Sequence, residues 1–237
     1  MFDKKSPRSM TKSLRVLAAL LGYPDASMRS HLPEMRELLR DERALSTSRL
    51  NELDALMASL ERADPLEAES DYVELFDRGR GTSLHLFEHV HGDSRERGPA
   101  MIDLGQAYEG AGLVLTEGEL PDYLPAVLEF VSTQPVREAR AFLGEMAHIF
   151  NAIFGALRHR ESPYASVLGA LLELAGEQAQ ALAPIRLPVE EPLDESWAEP
   201  VVFDGCSSKG QARPGEAQPV HIVRKGVSAS TATGASS

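Results

Sequence analysis

The chain has 237 residues, of which 43% are hydrophobic and 6% aromatic, an ordinary composition for a soluble globular protein. Its 36 acidic and 24 basic residues give a formal charge of −12, which disfavours nucleic acid and anionic membranes as partners and favours basic peptides. The single cysteine, Cys206, excludes an intramolecular disulfide framework or a cysteine-rich zinc site and indicates a reducing compartment, so we expect a cytoplasmic location.

Apolar residues recur at helical spacing through the first half of the chain. Leu14, Leu17 and Leu21 lie at i, i+3 and i+7, and Gly22 and Pro24 end this first pattern. The predicted helices of this half span, in order, about 14–21, 25–40, 46–62, 65–78 and 84–91. None of these apolar patterns approaches the ~18 uncharged residues of a membrane span, so we expect no direct membrane insertion.

Capping residues support the boundaries of these helices. Ser46 or Ser48 is expected to cap the third helix, and Pro65 fits the first turn of the fourth. Thr82 or Ser83 is expected to cap the short fifth helix.

The second half continues the helical pattern, with helices predicted at about 101–112, 123–135, 135–160 and 162–182. In the segment 135–160 the residues Phe142, Met146, Ile149, Ile153 and Leu157 form a stripe near heptad spacing, which predicts the central helix of the fold. No run of alternating β-branched residues predicts a sheet. The sequence therefore predicts an all-α fold, a single-domain bundle of about eight or nine helices over residues 10–184.

Residues 185–237 differ from the rest in composition. Six of the 15 prolines fall from Pro184 onwards, and the chain ends in a tract of Ser, Ala, Thr and Gly. This composition predicts a largely disordered tail. An apolar island at 196–203, which contains Trp197, either docks on the helical body or a partner, or is only an apolar stretch of the tail.

Residues 85–89, HLFEH, match the H-x-x-E-H pattern, in which two histidines bind zinc and the glutamate activates water. On a helix His85 and His89 share a face, so the geometry is permitted. A catalytic zinc also needs a third protein ligand, and no companion pattern indicates one. We therefore predict no metal site and no catalytic residues, with a zinc-dependent hydrolase acting through Glu88 as the alternative.

The surroundings of this pattern carry a more specific resemblance. Residues 72–101, YVELFDRGRGTSLHLFEHVHGDSRERGPAM, closely resemble the NarJ-type assembly chaperones of respiratory nitrate reductase, and residues 119–125, ELPDYLP, resemble that family's second signature. The resemblance covers about residues 13–203. In the wider TorD-like family a His often follows the Asp of the second signature, whereas Tyr123 stands here, which leaves any role of an imidazole at that position in doubt.

The resemblance implies an all-helical protein that is not an enzyme. It implies binding of the N-terminal segment of the catalytic subunit of nitrate reductase while molybdenum cofactor is inserted, with cofactor-delivery proteins as further partners and no cofactor stably bound to this chain. We expect the two signature stretches to line one groove for this client peptide. The candidate client-binding residues are Tyr72, Phe76, Arg80, Phe87, His89, His91, Glu119, Pro121, Asp122 and Tyr123.

Several of these residues have a second interpretation that the sequence leaves open. Tyr72 and Phe76 lie at helical spacing and fit core positions as well as client contacts, and Phe87 is expected to point into the core as an anchor. Asp122, three residues before Pro125, fits the N-cap of the following helix as well as a client contact. Without the resemblance, a generic helical peptide-binding adaptor would be an equally good interpretation of the sequence.

Overall fold

A computed structural model describes residues 9–90, 95–116 and 118–180 of the chain. Within these ranges the protein is helical and has no β-strand beyond one isolated β-bridge, which confirms the all-α prediction. The α-helices are α1 (Thr11–Leu21), α2 (Ala26–Ser30), α3 (Leu32–Glu42), α4 (Thr47–Arg62), α5 (Pro65–Tyr72), α6 (Leu86–Val90), α7 (Arg97–Gly110), α8 (Leu124–Thr133), α9 (Val136–Glu145), α10 (Ala147–His159) and α11 (Ala165–Ala175). Among the residues described, no helix is long and apolar enough to cross a membrane. The predictions for the tail, for its apolar island and for Cys206 concern residues outside these ranges.

The starts of α4 and α5, which rest on local signals, are confirmed. Of the two serines considered for α4, Ser46 is the N-cap, and its side chain accepts a hydrogen bond from the Arg49 amide at 3.3 Å. Asp64 caps α5 by accepting from the amide of Leu66 at 2.9 Å, with Pro65 as the first helical residue. These contacts involve residues two or three apart, so the sequence alone contains the whole signal.

The helix predicted over 25–40 is wrong in one respect, because the structure has two helices there that meet at His31. Pro33 lies in the first turn of α3. A proline inside a continuous helix would remove one backbone hydrogen bond, and its ring would clash with the carbonyl of Arg29, four residues earlier. The break at His31 places Pro33 where the missing amide hydrogen is not needed.

The single long helix predicted over 135–160 is also wrong. The chain bends at Met146, whose ψ of −4° departs from helical geometry, and this bend separates α9 from α10. A straight helix over 136–159 would be about 36 Å long, more than twice the roughly 16 Å of α11. Because of the bend, both halves pack against α11.

The central helix of the fold is α11, rather than the segment 135–160. Every residue of α11 except Glu173 is buried, and the helix packs against α1, α4, α9 and α10. A helix surrounded in this way must be apolar on all sides, as its sequence ASVLGALLELA is. One continuous hydrophobic cluster extends from Met10 in front of α1 to Ala175 at the end of α11.

The segment that follows α5 has an irregular backbone that shapes the functional site. α5 continues into a π-helical turn, Val73–Asp77, which ends with the Arg78 amide donating to the Val73 carbonyl at 3.1 Å. A short 3-10 turn, Arg80–Thr82, comes next. The Thr82 hydroxyl donates to the carbonyls of Leu75 and Gly79, so it holds this loop together and does not cap α6. π-helical turns are rare and occur frequently at functional sites.

Candidate functional site

The two signature stretches meet through their backbones just before α6 and α8. The Leu86 amide donates to the Asp122 carbonyl at 3.0 Å, and the Leu124 amide donates to the Leu84 carbonyl at 2.8 Å. These two hydrogen bonds place His85 opposite Tyr123 in a single antiparallel bridge. Residues 84–86 and 122–124 therefore form one unit, although they are far apart in the sequence.

Asp122 is the wholly buried carboxylate of this unit. It accepts a hydrogen bond from the Phe87 amide at 3.1 Å, and its other oxygen lies 3.2 Å from His85 Nδ1. Arg97 Nη2 lies 3.9 Å from the carboxylate. The proposed N-cap of the following helix is wrong, because Tyr123 occupies the N-cap of α8 without a side-chain hydrogen bond. Asp122 instead holds the first turn of α6, a helix from the other signature stretch.

The buried carboxylate changes the protonation of His85. The hydrogen bond from the imidazole to Asp122, together with the negative charges of Asp122 and Glu88, raises the pKa of His85 above its usual range, while partial burial and Arg97 act in the opposite direction. The His85 ring also lies 5.5 Å from the ring of Tyr123. The contact between the imidazole and Asp122 therefore connects the two signature stretches.

Tyr72 and Tyr123 make a second connection. The Tyr72 hydroxyl donates to the Leu21 carbonyl at 2.7 Å, and the two tyrosine hydroxyl oxygens are 3.2 Å apart. The Tyr72 ring is 4.9 Å from the ring of Phe76. Burial raises the pKa of Tyr72 well above its usual range, so this hydroxyl stays protonated.

A cavity of about 790 Å³ opens between the π-helical turn, the paired signature stretches and α10. Its apolar part consists of Tyr72, Phe76, Leu84, Tyr123, Ile149 and Ala152. Its charged and polar part consists of Asp77, Arg80, Ser83, His85, Glu88, His89, Arg97 and His148. This combination of an apolar surface with a few charged groups at its edge is typical of binding sites.

The candidate residues from the sequence fall into two groups. Those that line the cavity are Tyr72, Phe76, Arg80, His89 and Tyr123. Those that do not are Phe87, Glu119, Pro121 and Asp122. His91 lies outside the described residues. The sequence predicts Phe87 as the core anchor of α6, but it is only partly buried against the core. The fully buried residue of α6 is Leu86 beside it, so Leu86 is the anchor.

The residues outside the cavity support its wall. The Pro121 carbonyl accepts a hydrogen bond from the buried Tyr108 hydroxyl at 2.7 Å, which attaches the second signature stretch to α7. The Glu119 amide donates to the Thr116 carbonyl at 3.0 Å and so shapes the turn in front of Pro121.

Sequence reasoning missed several cavity residues. Asp77 and Arg97 are within the first signature stretch, so that stretch contained a signal for them. His148, Ile149 and Ala152 come from α10, where no motif marks them. Only the packing of α10 beside α6 and the 3-10 turn brings them to the cavity.

His85 and His89 are not arranged as zinc ligands. His85 Nδ1 is hydrogen-bonded to the Asp122 carboxylate, and His89 Nε2 lies 2.9 Å from the Ser83 carbonyl oxygen. Across the described ranges, no group of three or more His, Cys, Asp or Glu side chains could hold a metal ion. The Ser83 hydroxyl accepts a hydrogen bond from the His85 backbone amide at 3.2 Å, an arrangement that does not activate a serine nucleophile.

Over the described residues, the fold is all-helical with a cavity between the two signature stretches. Comparison with known proteins gives the family: residues 25–170 match the family described as nitrate reductase delta subunit. The chain is 42% identical over 193 residues to the nitrate reductase molybdenum cofactor assembly chaperone NarJ of Escherichia coli (strain K12). The aligned region covers 78% of this chain and 82% of that protein. The chain therefore belongs to this family, and the predicted resemblance to NarJ-type chaperones is confirmed.

A solved structure agrees with the helical architecture. A crystal structure described as a redox enzyme maturation protein from Archaeoglobus fulgidus aligns with a TM-score of 0.51, covering 75% of this chain and all of that one at 18% identity. This likeness supports the fold. Family membership further confirms that the chain is a chaperone and not an enzyme, so the zinc-hydrolase alternative is wrong.

Proposed function

We propose that this chain is a cytoplasmic, system-specific chaperone that binds the N-terminal segment of the catalytic subunit of respiratory nitrate reductase. It holds the apoenzyme and supports insertion of molybdenum cofactor before the enzyme docks at the membrane. The name of the relative at 42% identity, a nitrate reductase molybdenum cofactor assembly chaperone, supports this function. The cofactor belongs to the client, and cofactor-delivery proteins are further partners.

The observation that carries the proposal is the cavity between the signature stretches. One turn of α-helix with its side chains is about 5.4 Å long and 10–12 Å wide, which corresponds to roughly 400–600 Å³. The cavity volume of about 790 Å³ therefore has room for between one and two turns of a bound peptide. An amphipathic segment fits best, because the cavity is apolar inside and charged at its edge.

The lining residues would have distinct roles in this complex. Tyr72, Phe76 and Ile149 contact the apolar side chains of the client and supply most of the affinity, since they exclude water from the contact. Asp77 and Glu88 at the edge attract basic residues of the client. Such charged contacts set orientation and association rate more than affinity.

The remaining candidates divide according to their positions. Arg80, His89 and Tyr123 line the cavity and keep the proposed contact role. Asp122 has no exposed surface, so it positions the wall of the cavity through α6 and does not touch the client. Among the other candidates, Phe87, Glu119 and Pro121 support the same wall, and His91 keeps its predicted client contact as a proposal.

Filling the cavity tests the proposal. Ala152→Phe adds a ring to a half-buried position on α10 that lines the cavity. We expect the Kd for a synthetic peptide of the client's N-terminus to rise by about tenfold or more, equivalent to ~1.4 kcal/mol, in calorimetric titration. Ala141→Phe, on the exposed surface of α9, is the matched control and should bind like the wild type.

Two results would count against this assignment. Equal Kd values for Ala152→Phe and the wild type, with both folded by circular dichroism, would place the client elsewhere. Equal affinity for the client peptide and for a scrambled peptide would favour a general helical adaptor.

A further inference from the structure

A second depression, which we call the α4–α5 groove, lies next to the cavity and shares its π-helical turn. Phe76 and Asp77 of this turn line the cavity, whereas Glu74 and Leu75 line the groove. The groove has a volume of about 450 Å³ and is formed by the end of α4, by α5, by the π-helical turn and by residues 160–164 in front of α11. Its apolar floor includes Leu60, Ala63, Leu75, Pro163 and Tyr164.

Tyr164 is the unusual residue of the floor. The residue is 93% buried, and among the described residues its hydroxyl oxygen has no hydrogen-bond partner. Its ring packs edge-on against the ring of Phe76, which lines the cavity, with the ring centroids 5.1 Å apart. Burial, and to a smaller extent the negative charge of Asp71, raises the pKa of the Tyr164 hydroxyl. Buried hydroxyl groups in native proteins nearly always have a partner. The hydroxyl oxygen has almost no accessible surface, so a ligand in the groove would supply a partner by displacing the side chains that cover it.

The edge of the groove is acidic. Asp71, Glu74 and Glu161 contribute three carboxylates, against a single cation, Arg160. Glu74 makes an exposed ion pair of 3.0 Å with Arg78, one helical turn away. Within the described part of the chain, Asp71 and Glu161 have no ion-pair partner, so the edge of the groove carries a net negative charge.

Glu161 also has a strained backbone. Its φ is +54°, and it follows the end of α10, where the Ser162 amide donates to the Leu157 carbonyl at 3.0 Å. Glycine is the usual residue at this position of a helix end, because it adopts positive φ without a steric penalty. A glutamate here places a carboxylate at the groove at a cost in stability, and such strain occurs preferentially at functional sites.

We propose that the α4–α5 groove is a docking site for a basic amphipathic segment of a partner polypeptide, separate from the peptide in the cavity. Its apolar side chains lie on the floor, its Lys or Arg residues pair with Asp71 and Glu161, and one of its polar groups hydrogen-bonds to the Tyr164 hydroxyl. The volume corresponds to about one helical turn. The carboxylates at the edge disfavour nucleic acid and anionic lipid. This proposal does not depend on the function assigned to the cavity.

The test uses the full chain, titrated both without and with the client N-terminal peptide. The probe is a fluorescent twelve-residue peptide of Leu and Lys in amphipathic helical order, followed by fluorescence anisotropy. We expect Asp71→Asn with Glu161→Gln to raise the Kd of the probe by roughly two- to thirtyfold, as two exposed ion pairs would. Ala63→Arg places a long cation in the groove and should raise the Kd by about tenfold or more.

A matched control separates docking from general attraction to an acidic protein. Asp103→Asn with Glu109→Gln removes two exposed charges from α7, away from the groove, and should leave the Kd within about twofold of the wild type. An equal loss of affinity in the groove pair and the α7 pair would overturn the proposal, as would wild-type affinity in Ala63→Arg. A dimer in sedimentation that Ala63→Arg dissociates would assign the groove to a second copy of the chain, and would also overturn it.

Discussion

Asp122 shows how one side chain can serve the site without touching a ligand. It is fully buried, yet it accepts the Phe87 amide and pairs with His85, so its charge is matched by partners inside the fold. Replacing Asp122 by Asn would leave the imidazole without its counter-charge, and leaving a buried hydrogen-bonding group unpaired costs about 1–3 kcal/mol. Asp122→Asn would therefore disturb folding together with client binding, and the exposed edge of the cavity offers cleaner probes.

The raised pKa of His85 predicts a pH dependence of stability. Because the folded pKa lies above the unfolded value of about 6.5, the contribution of the His85–Asp122 pair is fully present below that pH and is lost as pH rises through the folded pKa. Asp122 and Glu88 favour the charged ring, and Arg97 opposes it. We expect the free energy of unfolding of the wild type, relative to His85→Gln, to increase from about pH 8.5 to about pH 6 in urea titrations.

The exposed imidazole of His31 provides the comparison for this experiment. His31 contacts the Ser27 carbonyl and has no carboxylate partner among the residues described. His31→Gln should show no comparable trend relative to the wild type. The same slope in both variants would mean that the trend does not come from the pair with Asp122.

At the scale of elements, the starts of helices were predictable and their interruptions were less so. Ser46 and Pro65 act on neighbours within one turn, and each has its expected role in the structure, where Asp64 is the N-cap in front of Pro65. The break at His31 has a local cause, Pro33, which an amphipathic pattern over 25–40 does not reveal. The bend at Met146 has no comparable marker, since it depends on how α9 and α10 both reach α11.

A substitution at Gly79 tests how tightly the chain is packed between the π-helical turn and the 3-10 turn. A Cβ atom on Gly79 would lie 2.5 Å from the Leu75 carbonyl oxygen and 3.2 Å from Arg160 Nη1. The first contact is with backbone and cannot relax without moving the turn. We therefore expect Gly79→Ala to lower the free energy of unfolding by ~1–3 kcal/mol in urea denaturation, and to weaken client binding because Phe76 and Arg80 shift.

Gly144 is the control for that substitution. It lies in α9, and a Cβ atom there would meet nothing within 4 Å. Gly144→Ala should leave stability unchanged or raise it by up to ~1 kcal/mol, because alanine favours a helix more than glycine does. Equal effects at the two glycines would show that steric contact does not explain the requirement at position 79.

At the scale of the whole molecule, one apolar cluster joins the first helix to the last. Leu14, Leu17 and Leu21 of α1 have no exposed surface, and neither do Leu168 and Leu171 of α11. α1 packs against both α8 and α11, which closes the bundle with helices from the two ends of the described chain. The cavity and the groove both lie where this packing leaves the π-helical turn accessible.

The described part of this cluster lies within the proposed helical domain of residues 10–184. Among the described residues its last buried member is Ala175, with Ala179 packed against it. We expect truncation after residue 184 to change the free energy of unfolding by less than ~0.5 kcal/mol, as measured by urea denaturation, because the described core is kept intact. Truncation after Ala165 removes α11 and should abolish cooperative unfolding. A large loss of stability in the first truncation would move the boundary into the tail.

The sequence by itself determined the helical class, most helix starts, the family and five of the residues that line the cavity, because helical periodicity, caps and short motifs are properties of neighbouring residues. The tertiary structure decided that α11 is the central helix, that Asp122 caps α6 and not α8, and that His148 and Ala152 face the signature stretches. Asp122 and Phe87 are 35 residues apart, and α10 is farther still from the first signature stretch. Contacts over such separations depend on how whole helices pack, which no local pattern of residues specifies.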